Sequence, residues 1–226
     1  ILRVGSTMYF GTMFGLLYLD LFNQNWNLIN VTKGLNDSAI WDIIEHDGSI
    51  YVATAQGINE ISIINYSLIP DEDNRFKPLF NFSIYDMEAD SEFIYLATDS
   101  GLLKMDWENG YLTTLSHREF RKIKLRGNSI SGTDDSLWII KEGMEEKHIT
   151  SNVQDFDYCG PYIWISQGGN ASLLDTVTSQ VWEYDQSDGI PGKQIYGINC
   201  DTDRVWLLTN KGIAFYNWKR YHHEKY

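Results

Sequence analysis

The sequence predicts an all-β fold, a β-propeller of six four-stranded blades, with part of a seven-bladed or larger propeller as the alternative. Three observations predict it. A short pattern recurs six times at a spacing near 40 residues, the period of a four-stranded blade. Its core strands are apolar on both faces, as they must be when a sheet is covered on both sides. No stretch carries the 3.6-residue periodicity of an amphipathic helix.

The recurring pattern is apolar, aromatic, apolar, small or apolar, Thr, two turn residues, Gly, apolar. It reads Met8-Tyr9-Phe10-Gly11-Thr12 before Met13-Phe14-Gly15-Leu16, and Ile50-Tyr51-Val52-Ala53-Thr54 before Ala55-Gln56-Gly57-Ile58. It returns as Ile94-Tyr95-Leu96-Ala97-Thr98 before Gly101, and as Val205-Trp206-Leu207-Leu208-Thr209 before Gly212. Weaker copies end at Thr133 and Ser166. The anchors Thr12, Thr54, Thr98, Thr133, Ser166 and Thr209 lie 42, 44, 35, 33 and 43 residues apart. They divide one propeller domain, 1–226, into blades near 1–36, 37–83, 84–118, 119–151, 152–192 and 193–226.

Within each blade an extended run such as Ile40–Ile44 or Ile84–Glu88 makes the inner strand, and the run ending at the anchor makes the second. The closing Gly supplies the positive φ of a tight hairpin into the third strand. The fourth strands are expected at Trp26–Ile29, Phe76–Phe80, Tyr111–Leu115, Glu145–Ile149 and Val181–Tyr184. The first blade is expected to lack part of its inner strand, to be covered by upstream residues or by a strand after Trp218. The chain opens on Ile1 rather than Met, so an upstream segment is expected.

Lys and Arg number 18 against 31 Asp and Glu, a net charge of −13. Such a surface repels phosphate backbones and anionic lipid, which argues against nucleic acid or direct membrane binding. The longest apolar stretch, Met8–Leu19, is too short to span a bilayer as a helix and is read as two strands of blade 1. Cys159 and Cys200 lie outside any CxxC pair and are expected as free thiols. No metal or cofactor is implied: adjacent His222 and His223 cannot share one face of a strand, and Asp71-Glu72-Asp73 reads as a solvated loop between third and fourth strands.

Two segments carry a family likeness. Gly189-Ile190-Pro191, Gln194-Ile195-Tyr196-Gly197-Ile198, Asp203-Arg204-Val205-Trp206 and Thr209-Asn210-Lys211-Gly212-Ile213 together resemble the two-component regulator propeller repeat. Gly34-Leu35-Asn36-Asp37, running on to Gly57, is a second copy. The resemblance implies an extracytoplasmic sensing propeller of a bacterial hybrid histidine kinase, periplasmic or extracellular. Ile165 and Leu208 stand where that family favours Gly.

No nucleophile, P-loop or metalloprotease pattern is present, so the residues favour binding over catalysis; a propeller hydrolase or lyase stays open because fold does not fix function. A ligand is expected at the mouth of the channel, where inner strands begin. There Asp42, Asp86, Arg121 and, with a one-residue slip, Asp155 stand at like distances before their anchors, and Trp41, Tyr85 and Tyr196 stand one position earlier in their blades. Aromatics beside carboxylates and one Arg suit a small polar ligand with apolar faces, such as a carbohydrate. Alternatively, the aromatics wedge between blades and the carboxylates cap turns or pair with Arg121. A protein partner held by a scaffold surface is the other functional expectation.

Overall fold

The computed structural model describes residues 1–141, 144–149 and 152–222. Six antiparallel sheets follow one another along the chain, each with its strands in sequence order, and define a six-bladed β-propeller fold. Blade 1 holds β1 (Leu2–Val4), β2 (Thr7–Thr12), β3 (Gly15–Asp20) and β4 (Asn25–Ile29). Blade 2 holds β5 (Ile40–His46), β6 (Ser49–Thr54), β7 (Gly57–Ser62) and β8 (Leu68–Ile69). Blade 3 holds β9 (Ile84–Ala89), β10 (Phe93–Thr98), β11 (Gly101–Asp106) and β12 (Leu112–Ser116). Blade 4 holds β13 (Lys122–Arg126), β14 (Ser129–Thr133), β15 (Leu137–Lys141) and β16 (Met144–Ile149). Blade 5 holds β17 (Asp155–Cys159), β18 (Tyr162–Gln167), β19 (Asn170–Asp175) and β20 (Val181–Tyr184). Blade 6 shows three strands among the described residues, β21 (Ile195–Cys200), β22 (Val205–Thr209) and β23 (Gly212–Tyr216). The chain forms two compact units, Ile1–Gly132 and Thr133–Tyr226.

The repeat has a physical cause. In blades 1, 2, 3 and 6 the anchor Thr hydroxyl accepts the N–H two residues on and donates to the carbonyl of the hairpin Gly. The pairs are Phe14 N–H to Thr12 (3.0 Å) with Thr12 to Gly15 O (2.7 Å), and Gln56 N–H to Thr54 (3.0 Å) with Thr54 to Gly57 O (2.8 Å). Thr98 and Thr209 repeat it. The Gly is required twice over. At Gly101 φ is +123° and a Cβ would lie 2.2 Å from the Ser116 carbonyl oxygen. Blade 5 departs by one residue: its hairpin closes on Gln167 and Asn170, so Gln167 and not Ser166 holds the anchor position. Ser166 instead donates to Asp155 O at 3.2 Å.

The core strands are buried on both faces. In the first unit Ile50 and Val52 of β6 pack with Tyr9 and Leu16 of blade 1, while Tyr51 and Ala53 pack with Ile84, Met87 and Leu96 of blade 3. In the second unit Trp164 and Leu173 of blade 5 pack with Ile198 and Leu207 of blade 6. Much of the acidic excess is structural. Asp20, Asp106 and Asp175 each accept two backbone N–H groups in the turn after a third strand. Asp90 and Asp201 do the same after an inner strand.

Five expectations are corrected. Cys159 and Cys200 form a disulfide, their Cα atoms 5.6 Å apart, because they end the inner strands β17 and β21 of adjacent blades. Phe76–Phe80 is not a strand: with Pro78 in its first turn, Lys77–Leu79 is a 3₁₀ turn, and blade 2's fourth strand is the two-residue β8. Asp71 therefore follows the fourth strand, and its carboxylate caps the Arg75 and Phe76 N–H groups at 2.8 and 2.9 Å. Blade 1 already has four strands, although β1 spans only three residues and pairs only with Thr7, Met8 and Tyr9. After blade 6 the chain turns into a short helix, α1 (Trp218–His222), rather than a strand. Its Trp218 packs on Tyr162 at 6.0 Å between ring centres.

Candidate functional site

The inner strands are edge strands, so their outward N–H groups need partners from elsewhere. The acidic residues singled out in the sequence supply them. In the first unit the Asp42 carboxylate on β5 accepts the Met87 N–H of β9 at 2.9 Å. One blade further, Asp86 on β9 accepts the Ile123 N–H of β13 at 2.7 Å. In the second unit Asp155 on β17 accepts the Ile198 N–H of β21 at 2.7 Å, and Asp157 accepts the Cys200 N–H at 2.8 Å. Each carboxylate thus ties its inner strand to the next. Asp157 was missed in the sequence, though it stands two residues after Asp155 on the same strand face.

Asp42 and Asp86 also lie close enough to feel each other's charge. Burial raises Asp42 above its ordinary value, against the backbone N–H groups and Lys124 that favour its charge. Burial raises Asp86 well above the usual carboxylate range, and the neighbouring Asp42 adds to it. Two carboxyls so placed disfavour both carrying charge at once. Lys124, whose charge favours both carboxylates, is itself paired with Glu88 at 2.8 Å.

The aromatic residues have a common backbone origin. The ladder between β5 and β6 pairs Ile40 with Thr54 and Asp42 with Ala53, so Trp41 is an extra, unpaired residue. Tyr85 is extra in the same way between Ile84 and Asp86, and Tyr196 between Ile195 and Gly197. A β-bulge re-aims its extra side chain, here outward at the head of the inner strand. Trp41 is 48% and Tyr196 61% exposed. Trp41 meets Tyr85 edge-on at 6.2 Å, and the Arg121 guanidinium lies over the Tyr85 ring at 4.2 Å. Arg121 also pairs with Glu119 at 2.7 Å in an exposed ion pair, worth at most about 1 kcal/mol.

Of the seven residues singled out, the structure brings five into one contiguous group in the first unit: Trp41, Asp42, Tyr85, Asp86 and Arg121. In the second unit Asp155 lies against Gly197, next to Tyr196. Phe120, the residue before Arg121, is fully buried like Ile40 and Ile84, unlike the exposed bulge aromatics Trp41 and Tyr196; Arg121 directly precedes β13. Among the described residues no cluster of three or more metal-ligating side chains occurs, and His223 lies outside them. No helix among them is long and apolar enough to cross a membrane.

Sheets and site together define a β-propeller module with an aromatic row at one end of its inner strands. No protein-family model and no curated protein matches the sequence. The fold is similar to the extracellular domain of the proposed hybrid two-component system BT3049 from B. thetaiotaomicron, with TM-score 0.76 and 17% identity. That match covers 94% of this chain and 32% of the other, so the chain spans about a third of that domain. It is also similar to the β-propeller domain of Cps50 (Swd1) from Myceliophteria thermophila, TM-score 0.68 and 9% identity, covering 94% of this chain and 80% of that one. The computationally designed Ika8 protein matches with TM-score 0.68 and 12% identity over 96% of this chain and 69% of its own. These likenesses concern the fold.

Proposed function

We propose that the chain is a ligand-binding propeller on the outer side of a bacterial membrane, the sensing part of a two-component system. The observation that carries this reading is the row of bulge residues. Trp41 and Tyr85 present aromatic surface at the head of adjacent inner strands, Arg121 adds a donor fork, and the strands beneath are fixed by the Asp42 and Asp86 bonds. An exposed indole beside a guanidinium suits a neutral polar ligand with an apolar face, such as a sugar ring, which stacks on the indole and accepts hydrogen bonds from Arg121. The disulfide supports an oxidising compartment. The likeness to extracellular domains of proposed two-component systems and the repeat read from the sequence agree with it.

A glycan array followed by calorimetry tests the reading. Wild type is expected to bind a neutral oligosaccharide, and Trp41→Ala to weaken binding about tenfold or more, the loss of one stacking contact of about 1–3 kcal/mol. Equal binding by wild type and Trp41→Ala contradicts it. A scaffold role has one observation of its own. Met13 and Phe14, both exposed, tip the β2–β3 turn at the end where Trp41 lies, since Gly11 abuts Ile40. Capture of a protein partner lost in a Met13→Ser/Phe14→Ser double variant, with Trp41→Ala retaining it, would favour that role.

A further inference from the structure

One buried donor in blade 5 lacks the partner that the repeat provides elsewhere. Three residues before the anchor stands an aromatic residue: Tyr95 in blade 3, Trp206 in blade 6 and, counting from Gln167, Trp164 in blade 5. Tyr95 gives its hydroxyl hydrogen to Asp90 at 3.0 Å, and Trp206 gives its indole N–H to Asp201 at 2.8 Å. Each of these Asp residues stands five positions earlier than its aromatic. Five positions before Trp164 the chain has Cys159, whose sulfur is bonded to Cys200. Trp164 is 1% exposed, and its indole N–H has no acceptor among the described residues. A buried donor in that position is costly and calls for an acceptor from outside the chain.

Trp164 also lines a hollow within the second unit, between blades 5 and 6. Tyr184 and Tyr216 wall it, their rings 5.1 and 5.5 Å from the Trp164 ring and 5.7 Å from each other. Ile190 and Leu207 add buried apolar surface. The exposed Asp188 stands at the rim, held by the 3₁₀ turn Gln186–Asp188, where one of its carboxylate oxygens accepts the Asp185 N–H at 2.9 Å. A carboxylate has about four acceptor sites, so Asp188 has room for a further donor. Burial, with Tyr216 and Asp188 beside it, pushes the Tyr184 hydroxyl up, so it keeps its proton in the neutral range. The hollow measures about 70 Å³. That exceeds the share of one liquid water, about 30 Å³, and falls well below the roughly 300 Å³ of a pocket that encloses a whole small molecule. It therefore has the size for one functional group of a larger ligand.

We propose that this hollow receives an acetamido group, presented by an N-acetylated ligand. The carbonyl accepts the Trp164 indole N–H, the methyl lies against the Tyr184 and Tyr216 rings, and the amide N–H donates to Asp188. Other chemistries each leave one feature unmatched. A cation offers the indole N–H no acceptor. An anion meets the Asp188 carboxylate on a chain of net charge −13. A plain hydroxyl leaves the aromatic walls without an apolar partner. The Trp41 row lies in the first unit and takes no part in this chemistry.

Fluorine NMR of protein labelled with 5-fluorotryptophan tests the site, with Trp164→Phe assigning the Trp164 signal by its loss. N-acetylglucosamine and Nε-acetyl-lysine are the probes; glucose and lysine, which lack the acetamido group, are the controls. At least one acetylated probe should shift the Trp164 resonance saturably, and the controls should leave it in place. A shift with the sugar alone supports an amino-sugar source, and one with the lysine alone a peptide source. No shift with either acetylated probe overturns the proposal and leaves water as the occupant. An equal shift with glucose or lysine overturns it too. Should Trp164→Phe fail to fold, calorimetry on Asp188→Ala still decides. This exposed substitution should weaken the acetylated probe about tenfold or more, the loss of one hydrogen bond to a charged group, and unchanged affinity overturns the proposal. The Trp41 row is titrated with sugars free of acetamido groups, so failure at either site is read separately.

Discussion

Replacing Asp86 with Asn keeps an oxygen for the Ile123 N–H and removes a carboxyl that competes with Asp42 for a proton. Replacing it with Ala removes the oxygen too. Ile123 is fully buried and its N–H reaches Asp86 at 2.7 Å, so Asp86→Ala leaves a buried donor unmatched at a cost of about 1–3 kcal/mol. At about 2–4 °C per kcal/mol for a chain of this size, that lowers Tm by about 2–12 °C. Asp86→Asn should lose little at pH 7. The pH dependence separates the two further. Folding raises the pKa of both carboxyls above the ordinary value of 3.8. Between that value and the raised ones the folded state binds more protons than the unfolded state, so the stability the pair contributes is full below the ordinary value and falls as pH rises through the raised values. Asp86→Asn should flatten this slope, and thermal melts from pH 4 to 8 on wild type and both variants measure it. Equal destabilisation by Asn and Ala, or a wild-type slope unchanged in Asp86→Asn, would refute this account of the Asp42 and Asp86 carboxyls.

Gly101→Ala should destabilise far more than Gly212→Ala. Both residues have φ near +125°, but only at Gly101 does a Cβ strike a backbone oxygen; urea melts should show about 1 kcal/mol lost at Gly212 from backbone strain alone and clearly more at Gly101. Cys159→Ser/Cys200→Ser should lower stability by about 2–4 kcal/mol, because the bond closes a long loop in the unfolded chain, and the wild-type chain should gain 2 Da on reduction, about the mass of two hydrogens. Tyr9, Tyr51 and Tyr95, each pushed up to about 12 chiefly by burial, should ionise late in an ultraviolet titration; complete tyrosine ionisation by pH 11 would contradict their packing.

What the sequence made legible was what the backbone repeats. The Thr hydroxyl and the hairpin Gly form a local unit whose chemistry needs those two residues three positions apart, so the second and third strands of blades 1, 2, 3 and 6 follow from them. Features set between blades were harder to read. The Cys159–Cys200 bond depends on two inner strands ending side by side, which spacing alone does not fix. The Lys77–Leu79 turn was hidden by apolar residues that look strand-like despite Pro78. At the site, the aromatic and acidic positions were visible as neighbours in sequence. Their separate duties were not, because a bulge that frees Trp41 and Tyr85, and a carboxylate that reaches the next blade's backbone, both require the register. The one-residue displacement at Ser166 and Gln167 has the same origin, since only the hairpin pairing shows which residue closes the turn.

The central claim, that the bulge row at Trp41 and Tyr85 receives a polar ligand, is tested most directly by fluorine NMR of protein labelled with 5-fluorotryptophan. The chain has eight tryptophans, and Trp41→Phe assigns the Trp41 signal by its loss. Titration with a neutral oligosaccharide that wild type binds should shift the Trp41 resonance and leave the buried Trp164 and Trp218 resonances in place. Saturable binding that leaves Trp41 unmoved would contradict the account and put the ligand elsewhere on the molecule.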